Sequence, residues 1–227
     1  NSGALNVISS DYDGNVADKA TKNFGATING TLNSIESATS SDNNAGIANA
    51  VVGTANRTAN SNGTLVFGAG NEITNSIANI DRSPMSGSPF GGPSSITSMA
   101  NKVRAAVKAS NSGGATMAFG GGNKADYTLR TAMIGVNNTV TGTSGSEASD
   151  NFVVGFNNTG TNVQGTTIIG TNRTATGTEN SIIMGAATNP TTTAVNNAVV
   201  LGTDANVTVA GGVALGANSI ASRGANE

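Results

Sequence analysis

The chain has 227 residues, about half of them Gly, Asn, Thr or Ser, and its 11 basic and 13 acidic residues leave a net charge of −2. It contains no Cys, His or Trp, which excludes disulfides, Cys or His metal sites, thiolate nucleophiles and Ser-His-Asp triads. The near-neutral balance provides no global field to attract nucleic acid or anionic lipid, and there is no run of about 18 apolar residues to cross a bilayer as a helix.

The chain opens at Asn1 without a charged start followed by an apolar stretch, so an export signal is expected to be absent or removed. Within residues 1–45, Asp11-Tyr12-Asp13-Gly14-Asn15 has the opening of a calcium loop but not its full spacing or terminal Glu, and an Asp-Gly turn is the simpler reading. Phe24-Gly25 lies 28 residues before Gly53, room for two degenerate coils of the repeat that follows.

From residue 50 onward, short apolar runs end in Gly. They are Ala50-Val51-Val52-Gly53, Leu65-Val66-Phe67-Gly68, Met117-Ala118-Phe119-Gly120, Ala132-Met133-Ile134-Gly135, Phe152-Val153-Val154-Gly155, Thr167-Ile168-Ile169-Gly170, Ile182-Ile183-Met184-Gly185, Val199-Val200-Leu201-Gly202 and Val213-Ala214-Leu215-Gly216. The glycines step by 15, 52, 15, 20, 15, 15, 17 and 14 residues. A fixed period marks a repeat architecture, and one of about 15 is too short for paired helices, leucine-rich repeats or propeller blades. It suits two short strands and two turns, one coil of a parallel β-solenoid. Val and Ile favour strands, and Gly supplies the corner conformation.

An Asn follows the Gly by three residues at Asn56, Asn71, Asn123, Asn138 and Asn158, whereas Asn172 and Asn206 drift to two and four. These Asn residues are either turn formers or, stacked about 4.8 Å apart, the rungs of a side-chain ladder. Along each apolar run, neighbouring side chains point to opposite faces. Both faces are apolar in nearly every repeat, so the strands read as buried on both sides. One face fills the coil. The other requires a cover, because an apolar stripe along the whole rod exceeds the roughly 300–600 Å² a soluble monomer tolerates. The simplest cover is another copy of the chain in cyclic symmetry. Val51, Val66, Met133, Val153, Ile168, Ile183, Val200, Leu201 and Leu215 are the candidate residues for the coil core or for this interface.

The 52-residue step contains an insertion near residues 82–112. Pro84, Pro89 and Pro93 mark Ser83–Pro93 as an irregular loop. Met99, Val103 and Val107 then follow at helical spacing over Ile96–Ala109, with Ser95 or Thr97 as the cap. The insertion carries Arg82, Lys102, Arg104 and Lys108 and no acid. It is either a decoration that packs on the roll or a basic appendage that binds a partner. Arg82, Phe90, Lys102, Arg104 and Lys108 are the candidate partner-binding residues.

Other signals are weaker. Gly120-Gly121-Gly122 lacks the Lys and Ser or Thr of a phosphate loop. The Asn-x-Thr triplets at Asn29, Asn56, Asn62, Asn137, Asn157, Asn172 and Asn206 follow largely from the repeat phase rather than from glycosylation. Asp150, Glu179 and Asp204 recur near corners as solvated charges rather than as an acid pair.

Val213-Ala214-Leu215-Gly216-Ala217-Asn218-Ser219-Ile220-Ala221 and Ala198-Val199-Val200-Leu201-Gly202 resemble the repeat of the YadA-like heads of trimeric autotransporter adhesins, and Ser222-Arg223 resembles the point where such a head enters its neck. The resemblance covers Gly53–Gly68 and Gly120–Arg223. It implies an all-β fold, a left-handed parallel β-roll formed by a homotrimer, as a single head domain with degenerate coils over 1–45, the insertion at 82–112 and the end of the head at 213–227. It further implies a cell-surface adhesin of the Gram-negative outer membrane, joined to the membrane only through a stalk and anchor outside this chain. The partner would be a host receptor, a matrix protein, a glycan or another bacterium. The near-neutral charge predicts no nucleic acid, and the missing His and Cys with sparse, dispersed carboxylates predict no cofactor, no metal and no catalysis. The alternative is a spacer that presents another binding domain. Outside the insertion, about 15 residues per coil predict roughly 12–14 coils and a rod of about 60 Å.

Overall fold

A computed structural model of the chain describes residues 2–10, 22–37, 45–86 and 92–223. The fold is predominantly β, and the pairings between its strands are all parallel. Each apolar run forms the first strand of a coil, as in Ala132–Val136, and a shorter second strand follows, as in Thr139–Thr141. Strands then stack coil on coil: Gly135 lies between Gly120 and Gly155, and Val140 between Ala125 and Gly160, while the pairing of the coil after Gly170 with the next shifts between Thr171 and Arg173.

Eleven such rungs stack among the described residues, beginning with Ser2–Ala4 and ending with Val213–Leu215. This is fewer than the period predicts, and ten steps of about 4.8 Å give a stack of about 48 Å. Gly3 pairs with Gly30 and Gly30 with Gly53, so the first two coils take 27 and 23 residues. The expectation for Phe24-Gly25 is thereby corrected: the rung glycines ahead of Gly53 are Gly30 and Gly3, and Gly25 sits in a turn. Residues 11–15, with the calcium-loop resemblance, lie outside the described residues.

The residue two before each rung glycine points inward. Val51, Val66, Met133, Val153, Ile168, Ile183 and Val200 are fully buried, facing Ile35, Ile73, Ala125, Val140 and Ala175 from the second strands. The rung glycine is fixed by the stack itself. Gly135 has φ +126°, and a Cβ there would land on the carbonyl oxygen of Gly155 one rung on. The same clash with the next glycine's carbonyl recurs at Gly30, Gly53, Gly68, Gly120 and Gly155. No L side chain fits such a column.

Two residues after the glycine the chain turns through a left-handed residue, such as Asn137, Asn157 or Asn172, with φ near +55°. Three residues after it stands a buried Asn, and these form a continuous ladder. The Nδ2 groups of Asn33, Asn56, Asn71, Asn123, Asn138 and Asn158 each donate to the Oδ1 of the Asn one rung earlier, at 2.9–3.1 Å, beginning with Asn6. The same Nδ2 also donates to the carbonyl of the next rung's glycine, as Asn123 does to Gly135 at 2.8 Å. Its Oδ1 accepts the backbone N–H of the next Asn, as from Asn138 at 3.1 Å. Every donor and acceptor of the amide is thus used inside the corner.

The apparent drift of Asn172 has a different cause. Asn172 is the left-handed corner residue, and the ladder position passes to Arg173. Arg173 is fully buried. Its backbone N–H donates to Asn158 Oδ1 at 3.0 Å, and its guanidinium donates to the carbonyls of Gly185 at 2.9 Å, Ala205 at 2.7 Å and Gly202. One long cation thereby replaces two further Asn rungs. Burial pushes its pKa down, and the nearby Asp204 opposes that shift.

Candidate functional site

Two surfaces stand out, the outer face of the first strands and the insertion. On the outer face, the residues one and three before each glycine point away from the core. Phe67 is 56% exposed, Ile134 42%, Phe152 41% and Leu215 72%, with Met117, Ile182, Met184 and Val213 beside them. Leu201 is half-buried at the same position of its rung. Of the candidate residues, those of the coil interior therefore separate from Leu201 and Leu215, which belong to the outer face. Strand register aligns these side chains rung over rung into one apolar stripe.

Polar side chains cover the outer side of the second strands instead. Arg57 pairs with Glu36 at 2.8 Å and Glu72 at 2.7 Å, and Lys124 approaches Glu72 at 3.8 Å. The hydrogen bond from Arg57 holds the Glu36 carboxyl below its usual range, against the opposing effect of burial. Asp150 pairs with Arg130 at 2.6 Å and is likewise held low. Asp204 accepts from the Thr188 hydroxyl at 2.6 Å and its N–H at 2.7 Å. Asp150 and Asp204 thus each have partners of their own, and Glu179 lies exposed at its corner.

The insertion leaves the stack earlier than the prolines indicate. Its stem closes where the Ala78 N–H donates to the Gly113 carbonyl at 2.8 Å, and Gly114 returns to the stack beside Asn62. A 3-10 turn at Ser83–Ser86 precedes α1, Pro93–Ala109. Two expectations are corrected here. Pro93 belongs to the helix as its first residue rather than to the loop, and neither Ser95 nor Thr97 caps it. Gly92 is the N-cap, at φ 86° and without a side-chain cap bond. Proline suits that position because its missing N–H would have no intrahelical partner and its φ is already helical. Phe90 lies outside the described residues.

The helical stripe does pack on the chain's own coils. Ala106 is buried with Ile47, Ile80 and Met85, and Val103 and Val107 pack against that cluster with Phe24. Lys102, Arg104 and Lys108 are exposed, and Arg82 is half-buried. Arg104 and Lys108 lie one turn apart on one flank, with Lys102 on another. The Arg104 guanidinium donates to Asn101 Oδ1 at 2.7 Å.

Three features escaped the sequence reading. The rung at Thr27-Ile28-Asn29-Gly30 keeps the Gly-to-Asn spacing through Asn33, but Asn29 breaks the apolar run that signals a rung. Gly3 and Asn6 repeat that spacing at the first coil. Arg173 carries no local signal, since its role depends on carbonyls 12, 29 and 32 residues away. Comparison of the chain with protein-family models, with curated proteins and with solved structures finds no match in any of the three.

Proposed function

We propose that this chain is the head of a trimeric autotransporter adhesin. In this reading it is a left-handed parallel β-roll, three copies around one axis, displayed on a Gram-negative outer membrane. The head attaches the cell to a host receptor, matrix protein, glycan or partner bacterium by surface complementarity, without catalysis. The observation that carries the reading is the apolar stripe on the outer face of successive rungs, with Phe67, Ile134, Phe152 and Leu215 each more than 40% exposed. Three such stripes facing one axis would bury one another, whereas the apolar side chains inside each coil already pack against their own chain.

Light scattering of the purified chain should report three copies. Leu201→Asp should lower that mass while the β signal in circular dichroism persists, because Leu201 lies on the outer face. Val200→Asp should instead unfold the coil, because an unpaired carboxylate inside it costs several kcal/mol. A monodisperse wild-type monomer would overturn the trimer. Adhesion of the isolated head to cells or matrix separates an adhesin from a spacer. Removing residues 79–112 at the closed stem then tells whether the insertion or the roll carries the contact.

A further inference from the structure

A cleft of about 460 Å³ opens between α1 and Phe24, lined by Phe24, Ile96, Met99, Ala100, Val103, Arg104 and Val107. We propose that it binds an anionic amphiphile, a single hydrocarbon chain ending in a carboxylate, with the chain on the apolar floor and the head group on Arg104. This goes beyond the adhesin reading and does not depend on it.

Four observations argue for that chemistry. The volume falls within the roughly 300–1,000 Å³ typical of small-molecule sites, and those sites combine apolar walls with a few polar groups that set orientation. Six of the seven lining residues offer only carbon or a thioether, and the wall is incomplete without an occupant, since Ile96 stays 58% exposed. The seventh is Arg104, exposed at the rim, whose guanidinium has five N–H donors and a hydrogen bond to Asn101 Oδ1. A carboxylate takes such a fork in two parallel bonds. Lys108 lies one turn on along the same flank, and α1 itself contains no acid.

A cationic or sugar ligand does not fit this arrangement. A cation would meet Arg104 and Lys108, and a sugar would leave its hydroxyls against Phe24, Ile96 and Val103 without partners. The helix places the apolar wall and the rim charge about 100° apart, as the same helix turn carries Val103 and Arg104. An extended amphiphile can therefore meet both.

The test is calorimetric titration of dodecanoate, below its micelle-forming concentration, into the full chain. One saturable site per chain is expected. Arg104→Gln should weaken it about tenfold or more, and Ala100→Trp, which fills the cleft from an exposed position of α1, should abolish it. Both variants should keep the wild-type melting temperature. Dodecyltrimethylammonium should fail to bind. Absence of dodecanoate binding would overturn the proposal. So would equal binding by Ala100→Trp, which means nonspecific partition, or equal binding of the cation. A change of oligomeric mass on Ala100→Trp without dodecanoate binding to the wild type would assign the cleft to a second copy of the chain instead.

Discussion

Replacing Asn123 by Ala tests whether the buried ladder holds the coils together. The Asn123 amide makes four side-chain hydrogen bonds: Nδ2 to Asn71 Oδ1 and to the Gly135 carbonyl, and Oδ1 from the N–H and the Nδ2 of Asn138. Asn71 Oδ1 still accepts the backbone N–H of residue 123 at 3.1 Å, and Asn138 Nδ2 still donates to Gly155 at 2.9 Å. Two backbone groups lose this partner, the Gly135 carbonyl and the Asn138 N–H. At about 1–3 kcal/mol for each buried group left unmade, Asn123→Ala should cost about 2–6 kcal/mol. That corresponds to a fall in melting temperature on the order of 10 °C. Thermal unfolding followed by circular dichroism at fixed chain concentration reads the effect. Asn157→Ala is the control, because Asn157 is exposed and loses one bond, to Asn172 at 2.8 Å. Its cost should be about 1–2 kcal/mol, from that bond and from placing Ala at a left-handed φ of +56°. Equal destabilisation by the two variants would refute the ladder as a stabilising element. Asn123→Asp sharpens the test, since its second oxygen would face two acceptors. The buried carboxyl would have a raised pKa, so the variant should be least impaired in acid and lose stability as pH rises past the ordinary carboxylate value of about 3.9.

Three further outcomes are expected. Gly135→Ala should prevent stacking at that rung or cost several kcal/mol, because φ +126° is strained for alanine and its Cβ meets the Gly155 carbonyl; a variant that melts with the wild type would refute this. Arg173→Met, measured in the same way, should cost about 3 kcal/mol or more, since the carbonyls of Gly185, Gly202 and Ala205 lose their donors. Glu36 and Asp150 have depressed folded pKa values, so their stabilisation is full at neutral pH and is lost as pH falls through those values, below the usual carboxylate range of about 4. Each pair is more than a third exposed and worth at most about 1 kcal/mol, so urea melts should show a small loss in acid and, with no histidine, a flat profile from about pH 6 to 8.

The sequence made the rungs legible wherever two signals coincided, an apolar triplet and a glycine. Coils from Gly53 onward satisfy both, and their stacking follows the register that the glycines predict. The rung at Gly30 carries one signal only, since Asn29 needs no apolar partner on an exposed outer face. The helix was legible from Met99, Val103 and Val107, but not its start, because a glycine at the N-cap followed by proline also reads as a turn. The cleft beside α1 was invisible for a different reason. It needs Phe24, more than 70 residues away from Ile96 in the chain, and no local pattern reports that approach. The two open readings of the Asn positions, turn former or ladder, proved to belong to different residues: the position two after the glycine turns the chain, and the one after it builds the column.

That column has a polarity. Six carboxamides, from Asn33 to Asn158, hand a proton donor back to the preceding coil, beginning at the Asn6 oxygen, and each turns its own oxygen forward toward the following one. Aligned amide dipoles add head to tail, as peptide dipoles do along a helix, and neighbouring hydrogen bonds polarise one another in a low-dielectric interior. The negative end of the resulting array points toward the C-terminal coils, where the chain places the guanidinium of Arg173. A cation that has no carboxylate hydrogen-bonded to it inside the stack is therefore met by the summed field of the amides behind it and the carbonyls ahead. The ladder is thus an oriented element inside the stack, and its negative end meets Arg173 before the last coils, whose equivalent positions are Thr188, Ala205 and Ser219.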